Sequence, residues 1–338
     1  MRTTINFQKK SLFLGWTWGL CMWIGAIQAQ HDTTYIINYA DKIILKANLD
    51  TRTDAFKYKN REDGSQLYLV PNSRYRMFLS LDYEFIGVSV GLVPKFLGAN
   101  ADEDLKGSTN YTDYNFRFFL GKWVQGVSYS KTNGYYVRNT SDFVPGWSQG
   151  IDPYLQFNDL SNSIYGMSTS YVFNPNFSYR NIVYQNEWQR KSSGSIVASL
   201  YYDYSILKLK EGSVDAVEKF FNVRLAPTYF YTWVLHQNWF LSGNISPSMG
   251  IKTSRYEAQN TDASKEVERN NYLTKNLSGG INLGYSSEKV IFGINVNVSA
   301  DWYNEDDASS VETDQFYGLL YVGYRLEPPK AVKKLFHP

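Results

Sequence analysis

Hydrophobic and polar positions alternate along most of this chain, most clearly across residues 277–302. Leu277, Gly279, Ile281, Leu283 and Tyr285 alternate with Ser278, Gly280, Asn282, Gly284 and Ser286. A polar turn at Ser287-Glu288-Lys289 follows. Then Val290, Phe292, Ile294, Val296, Val298, Ala300 and Trp302 form one series, with Gly293, Asn295, Asn297, Ser299 and Asp301 between them. A period of two sends successive side chains to opposite faces of a strand, and two such runs joined by turn residues make a hairpin. One face is aliphatic and ends in an aromatic; the other is small or polar. Each run has about the 9–11 residues that a tilted strand needs to cross a bilayer, and the terminal aromatics match interfacial girdles. The pattern predicts an all-β fold: a single antiparallel transmembrane β-barrel, apolar outside and polar inside.

The same alternation marks residues 43–56, 75–85, 88–92, 114–120, 123–130, 164–173, 179–188, 195–204, 221–235, 239–251 and 316–326 as strands. Asn133-Gly134 has the chemistry of a hairpin turn, so residues 135–144 form a further candidate strand. From residue 207 onward the connections run long, short, long, short, long, at 207–219, 236–238, 257–271, 287–289 and 304–314. Outer-membrane barrels have short periplasmic turns and long external loops. With both chain ends in the periplasm the strand number is even. The count is 12, or 14 if residues 135–144 and the first strand are both included.

Composition agrees with this class. Tyr, Phe and Trp number 28, 20 and 9, or 17% of the 338 residues, enough for two aromatic belts. The mean hydropathy of −0.39 argues against a helical membrane protein and is ordinary for a barrel with a polar lumen. Arg2, Lys9 and Lys10 precede the apolar stretch 11–27, and Ala29 offers a cleavage site, so residues 1–29 read as an export signal. Residues 30–42 then form a periplasmic lead, 43–326 the barrel, and 327–338 a basic periplasmic tail with Lys330, Lys333 and Lys334. The single cysteine, Cys21, lies in the signal, which leaves no disulfide framework or thiol chemistry. Three of the 34 basic residues also lie there, leaving 31 against 32 acidic. A near-neutral chain gives no reason to expect nucleic acid.

Three stretches carry a resemblance: Leu45-Lys46-Ala47-Asn48-Leu49-Asp50-Thr51-Arg52, Tyr171-Val172-Phe173-Asn174, and Gln189-Arg190-Lys191-Ser192-Ser193-Gly194-Ser195. They resemble a domain-of-unknown-function family of secreted proteins from Gram-negative bacteria that look like outer-membrane barrels. The resemblance covers about residues 40–326. It implies the cell outer membrane as the compartment and brings no assigned chemistry.

No catalytic set, cofactor site or metal site is read from the chain. His31 and His337 lie near the ends and His236 lies in a turn, without a visible nucleophile beside it. Ser205-x-x-Lys208 and Ser286-x-x-Lys289 lack the companion motifs of Ser-x-x-Lys enzymes and read as strand ends and turns. Asp102-Glu103-Asp104 and Asp306-Asp307 do not match a calcium loop and read as solvated acidic loops. The informative polar set faces inward: Lys46, Asp50, Arg52, Asp54, Arg76, Asp82, Glu84, Arg117, Asp203, Arg224, Lys252, Asp301 and Arg325. From it a lumen charge network is expected where the first and last strands meet, made of Asp50, Arg52, Asp82, Glu84, Arg117 and Arg325. Two roles stay open for a non-enzymatic barrel. One is passage or binding of a small solute or lipid-like molecule. The other is a structural or assembly role, with a lumen plugged by charge and loops that bind partners. Outer-membrane lipid and a small-molecule solute are the expected partners; the sequence gives no oligomeric state.

Overall fold

Period-two alternation becomes strand almost wherever it occurs. The computed structural model describes residues 34–51, 54–59, 64–211, 214–259, 265–302, 309–313 and 316–336. The leader with Cys21, and also His31, Arg52, Asp306, Asp307 and His337, lie outside those residues. Within them the strands are β1 (Ile36–Asn38), β2 (Ile43–Asp50), β3 (Asp54–Lys59), β4 (Gln66–Val70), β5 (Arg76–Tyr83) and β6 (Ile86–Leu92). Next come β7 (Asn110–Leu120), β8 (Trp123–Val137), β9 (Gln156–Val172), β10 (Glu187–Gln189), β11 (Ser193–Glu211) and β12 (Val214–His236). The last are β13 (Trp239–Gln259), β14 (Lys265–Ser286), β15 (Val290–Trp302), β16 (Ser309–Thr313) and β17 (Phe316–Leu326).

A closed antiparallel ring of 12 strands runs β2, β5, β6, β7, β8, β9, β11, β12, β13, β14, β15, β17. The last strand returns to the first, with Leu319 opposite Asp50 and Leu326 opposite Ile43. Closure removes the unpaired edges that a bilayer does not tolerate. The outward side chains are those the alternation assigned. Leu79, Ile196, Leu225, Ile245, Ile281, Val298 and Leu320 are 51–59% exposed, an arrangement that water disfavours and lipid accepts. Five consecutive strands carry an outward aromatic row through the pairs Tyr114–Tyr129, Tyr129–Tyr165, Tyr165–Tyr204 and Tyr204–Phe221. Trp239, Tyr285 and Phe292 stand side by side nearer the short turns. These two bands fit the girdles of a bilayer-spanning barrel.

Two expected strands are corrected. Residues 179–188 are not in the wall; they fold into the lumen. Residues 135–144 are not a separate strand either: 135–137 finish β8. Asn133-Gly134 is a bulge, not a hairpin, because β9 continues on both sides of a register shift there. Gly134 has φ +85°, and a Cβ would lie 2.1 Å from the Ser108 carbonyl oxygen, so the position needs glycine for conformation and for space. The first strand does belong to the ring, which is how the count stays at 12.

Charged stretches expected as loops are mostly strand. The loops expected at 207–219 and 257–271 shrink to the ends of β11 to β14, which run 19, 23, 21 and 22 residues, about twice what a bilayer needs. On the other side β5 and β6 have 8 and 7. Beyond their ends β4 pairs directly with β8, through Leu69–Val137 and Val70–Tyr136, and β16 pairs with β3. These added strands make a partial collar at the end of the barrel where the long connections lie.

Candidate functional site in the barrel lumen

The connection from β9 to β11 leaves the wall at an Asx turn, where the Asn174 side chain accepts from the N–H of Asn176 at 3.0 Å. The chain then turns inward. Ser178 caps the short helix Tyr179–Val183, accepting from Asn181 N–H at 2.9 Å and donating to Glu187 at 2.6 Å. Glu187 also pairs with Arg180 at 3.2 Å, so the segment carries its own polar core. Strand β10 then pairs with β1 of the N-terminal lead, Ile36 opposite Gln189 and Asn38 opposite Glu187.

This segment spans the ring. It is tethered at β9 and β11, and β2 and β17 are the strands diametrically opposite. There Lys46 of β2 donates to the Tyr184 carbonyl and to Gln185 Oε1 at 3.2 Å, and Arg325 of β17 donates to the Gln185 carbonyl at 2.8 Å. From β14, Asn282 donates to the Ile182 carbonyl at 3.3 Å. Tyr179 packs on Phe230 of β12, Trp188 on Phe240 of β13, and Tyr184 on Phe119 of β7. Two apolar clusters hold it. One joins Phe119, Val124, Val172 and Val197 of the wall to Phe177, Tyr179 and Ile182; the other joins Ile44, Phe240 and Ile291 to Tyr39 and Trp188. Gly284 makes room, since a Cβ there would meet Phe240 and the Tyr321 hydroxyl at 2.4 Å. The short-turn end of the lumen is filled by chain.

Among the described residues, the charges expected as a network make the following contacts. Asp82 bridges Arg117 at 2.9 Å and Lys46 at 3.1 Å, and Asp50 faces Arg76 at 3.9 Å. Arg325 meets no carboxylate among the described residues: it donates to Gln185 O, Ser286 Oγ and Ser287 O and lies over the Tyr39 ring at 3.9 Å. Glu84 stands in the β5–β6 turn with φ +51°, and its N–H donates to the Ala40 carbonyl at 2.7 Å. Of the six residues, Asp82 and Arg117 are thus brought into contact, while Asp50 and Arg325 each take other partners. Lys46 and Arg76 are the cations they share the site with.

Above this plug the inward side chains are small and polar. Ser128, Ser168, Asn244, Ser246, Asn295 and Asn297 are half-buried, and hydroxyl pairs such as Thr228–Ser246 at 2.6 Å link neighbouring strands. Nearer the collar the inner face turns apolar again. Phe56, Leu69, Tyr135, Val137, Leu160, Leu207 and Phe220 form one buried cluster, with Phe56 and Tyr135 edge to face at 5.5 Å. Away from the plug the inner face is therefore first polar and then apolar. Among the described residues no group of three His, Cys, Asp or Glu could hold a metal ion.

The plug was missed because alternation was read for one face only. Several strands carry three apolar residues in a row at their short-turn ends: Ile43-Ile44-Leu45, Tyr171-Val172-Phe173, Trp239-Phe240-Leu241 and Val290-Ile291-Phe292. Such runs signal burial on both faces, and here the middle residue of each packs against the plug.

The chain is similar to several solved structures. The translocator domain of the autotransporter NalP from Neisseria meningitidis is 7% identical over 94% of this chain and 97% of its own, with a TM-score of 0.36. The beta domain of the Bordetella autotransporter BrkA is 8% identical, covering 84% and 98%, at 0.38. The outer membrane protease OmpT from Escherichia coli is 8% identical, covering 86% and 96%, at 0.34. No curated protein matches the sequence. A family model described as "Domain of unknown function (DUF4421)" matches residues 30–326, and the chain belongs to that family.

Proposed function

We propose that this protein is an outer-membrane barrel that does not act as an open pore: it holds a small polar solute in its luminal chamber and releases it only when the plug moves. One observation carries the reading, namely that the β9–β11 segment hydrogen-bonds to the strands diametrically opposite its tethers. A loop resting at the rim could not reach them. The inner face above it carries serine and asparagine together with Asp203, Arg224 and Lys252, which suit a hydrated or hydroxylated guest better than an apolar one. Strand β1 pairs with the plug, and the helix Lys330–Phe336 after β17 packs on Tyr83 and Phe85 at the same end, which makes that end periplasmic in the usual orientation of such barrels.

Liposome swelling tests this reading. The protein should fractionate with the outer membrane and migrate faster on a gel unboiled than boiled. Vesicles containing it should swell in small sugars no faster than empty vesicles. Recovery as a soluble species, or swelling at the rate of a general porin, contradicts the proposal.

A further inference from the structure

The two walls of the lumen treat charge differently. On the β2–β5–β7 wall the cations Lys46, Arg76 and Arg117 all have a carboxylate within 4 Å. On the β11–β12–β13 wall Arg224 and Lys252 have none that close among the described residues, although Asp203 and Glu218 lie near enough to act on them electrostatically. They are held by aromatic rings instead: Arg224 lies over Tyr201 at 5.1 Å and Lys252 over Phe220 at 4.0 Å. Cross-strand pairing places them together, with Tyr201 beside Arg224, and Asp203 and Lys252 on either side of Asn222. Asn222 donates to Asp203 at 3.0 Å. Two buried atoms of this patch, Arg224 Nε and Asn222 Oδ1, have no hydrogen-bond partner in the protein, although buried polar groups are normally paired. The side chains themselves are only half-buried, facing the chamber.

The geometry points to a luminal binding site for a small solute that carries a carboxylate next to a hydroxyl. Arg224 and Lys252 supply two donors of positive charge for the carboxylate, the arrangement that gives charge-assisted hydrogen bonds. Asp203, steadied by Asn222, accepts from the neighbouring hydroxyl. Asp203 and Glu218 neighbour these cations without closing an ion pair with either, so an anion with no hydroxyl would meet their repulsion, and a neutral sugar would leave Arg224 and Lys252 without a direct charged contact. The site rests on the proposed function only in lying within the same chamber.

Calorimetric titration of the purified barrel in detergent with gluconate, galacturonate, acetate and glucose tests the site. Gluconate or galacturonate should bind, and acetate and glucose more weakly. Arg224→Gln and Lys252→Gln should each weaken binding by at least about tenfold, the effect of losing one charge-assisted bond. Asp203→Asn should narrow the preference for the hydroxy acid over acetate. Unboiled gel migration must stay at the wild-type position in each variant, and Ser299→Ala, on β15 and outside the patch, should bind as wild type. Failure of both hydroxy acids to bind the wild type overturns the site, as does equal binding by the Gln variants. Neither result bears on closure, which liposome swelling reads separately.

Discussion

At the scale of single residues, the two faces of β15 make opposite demands. Ile294 is 42% exposed on the outer face, while Asn295 faces the lumen beside Asn297, whose amide donates to it at 2.5 Å. An Arg near the bilayer midplane on the lipid face costs roughly 2–4 kcal/mol, and a lumen position has no such penalty. Ile294→Arg should therefore destabilise the folded barrel by about that much more than Asn295→Arg in a vesicle unfolding titration; the reverse order would invert the inside–outside assignment. At the seam, Lys42 precedes the first ring strand, Glu327 follows the last, and the two form an ion pair. Their hydrogen bond lowers the Glu327 carboxyl below its ordinary value and raises the Lys42 ammonium above its own. The Glu327 contribution is thus present above the ordinary glutamate range and lost as the pH falls through the lowered value. The Lys42 contribution is lost only as the pH rises through the raised one. Hydrogen-exchange protection, corrected for the intrinsic rate at each pH, should fall at the short-turn ends of β2 and β17 at those two extremes, and Glu327→Gln should remove the acid-side change. Which residues face lipid was legible from alternation, because hydrocarbon enforces it along every spanning strand. Which inward charges pair was not, since Asp82 finds Lys46 and Arg117 across strands distant in sequence, and Arg325 prefers carbonyls of a segment about 140 residues away.

At the scale of elements, the β9–β11 segment and the β8 bulge were both misread, for opposite reasons. Tyr179 to Trp188 has the length and aromatic content of a strand, but Ser178 caps a helix there and Gln185 takes φ +57°. Local propensity gave way to packing inside the ring. Asn133-Gly134 has the chemistry of a turn, but Gly134 serves a close approach: its carbonyl accepts from the Thr109 hydroxyl at 2.8 Å. Gly134→Ala should cost about 1–3 kcal/mol, as forced left-handed conformations do, with no change in strand number by circular dichroism. Unchanged stability would show that the bulge relaxes. Trp188 is 4% exposed and central to the apolar cluster between plug and wall. Trp188→Ala should cost roughly 3–5 kcal/mol of plug packing. If the plug moves as a unit, protease sensitivity should rise within residues 174–192 while the ring stays intact on an unboiled gel. Loss of the whole barrel instead would mean that plug and ring fold as one.

At the scale of the molecule, the ring closes through β2 and β17 as a bilayer requires, and the chain then fills its own lumen from the short-turn end. The interior changes character along its axis, from a packed plug to a polar inner face to a buried apolar cluster at Phe56, Tyr135 and Phe220. Twelve strands alone do not determine whether a lumen is open; the segment within it does. Closure by that segment is the central claim, and single-channel recording tests it most directly. Wild-type protein in a planar bilayer should be silent. Arg325→Ala, which removes a link from β17 to the plug, should show brief openings. A chain in which residues 177–190 are replaced by a short turn should give large, steady steps while migrating as a folded barrel. Large, steady conductance from the wild type, unchanged in both variants, would contradict the account.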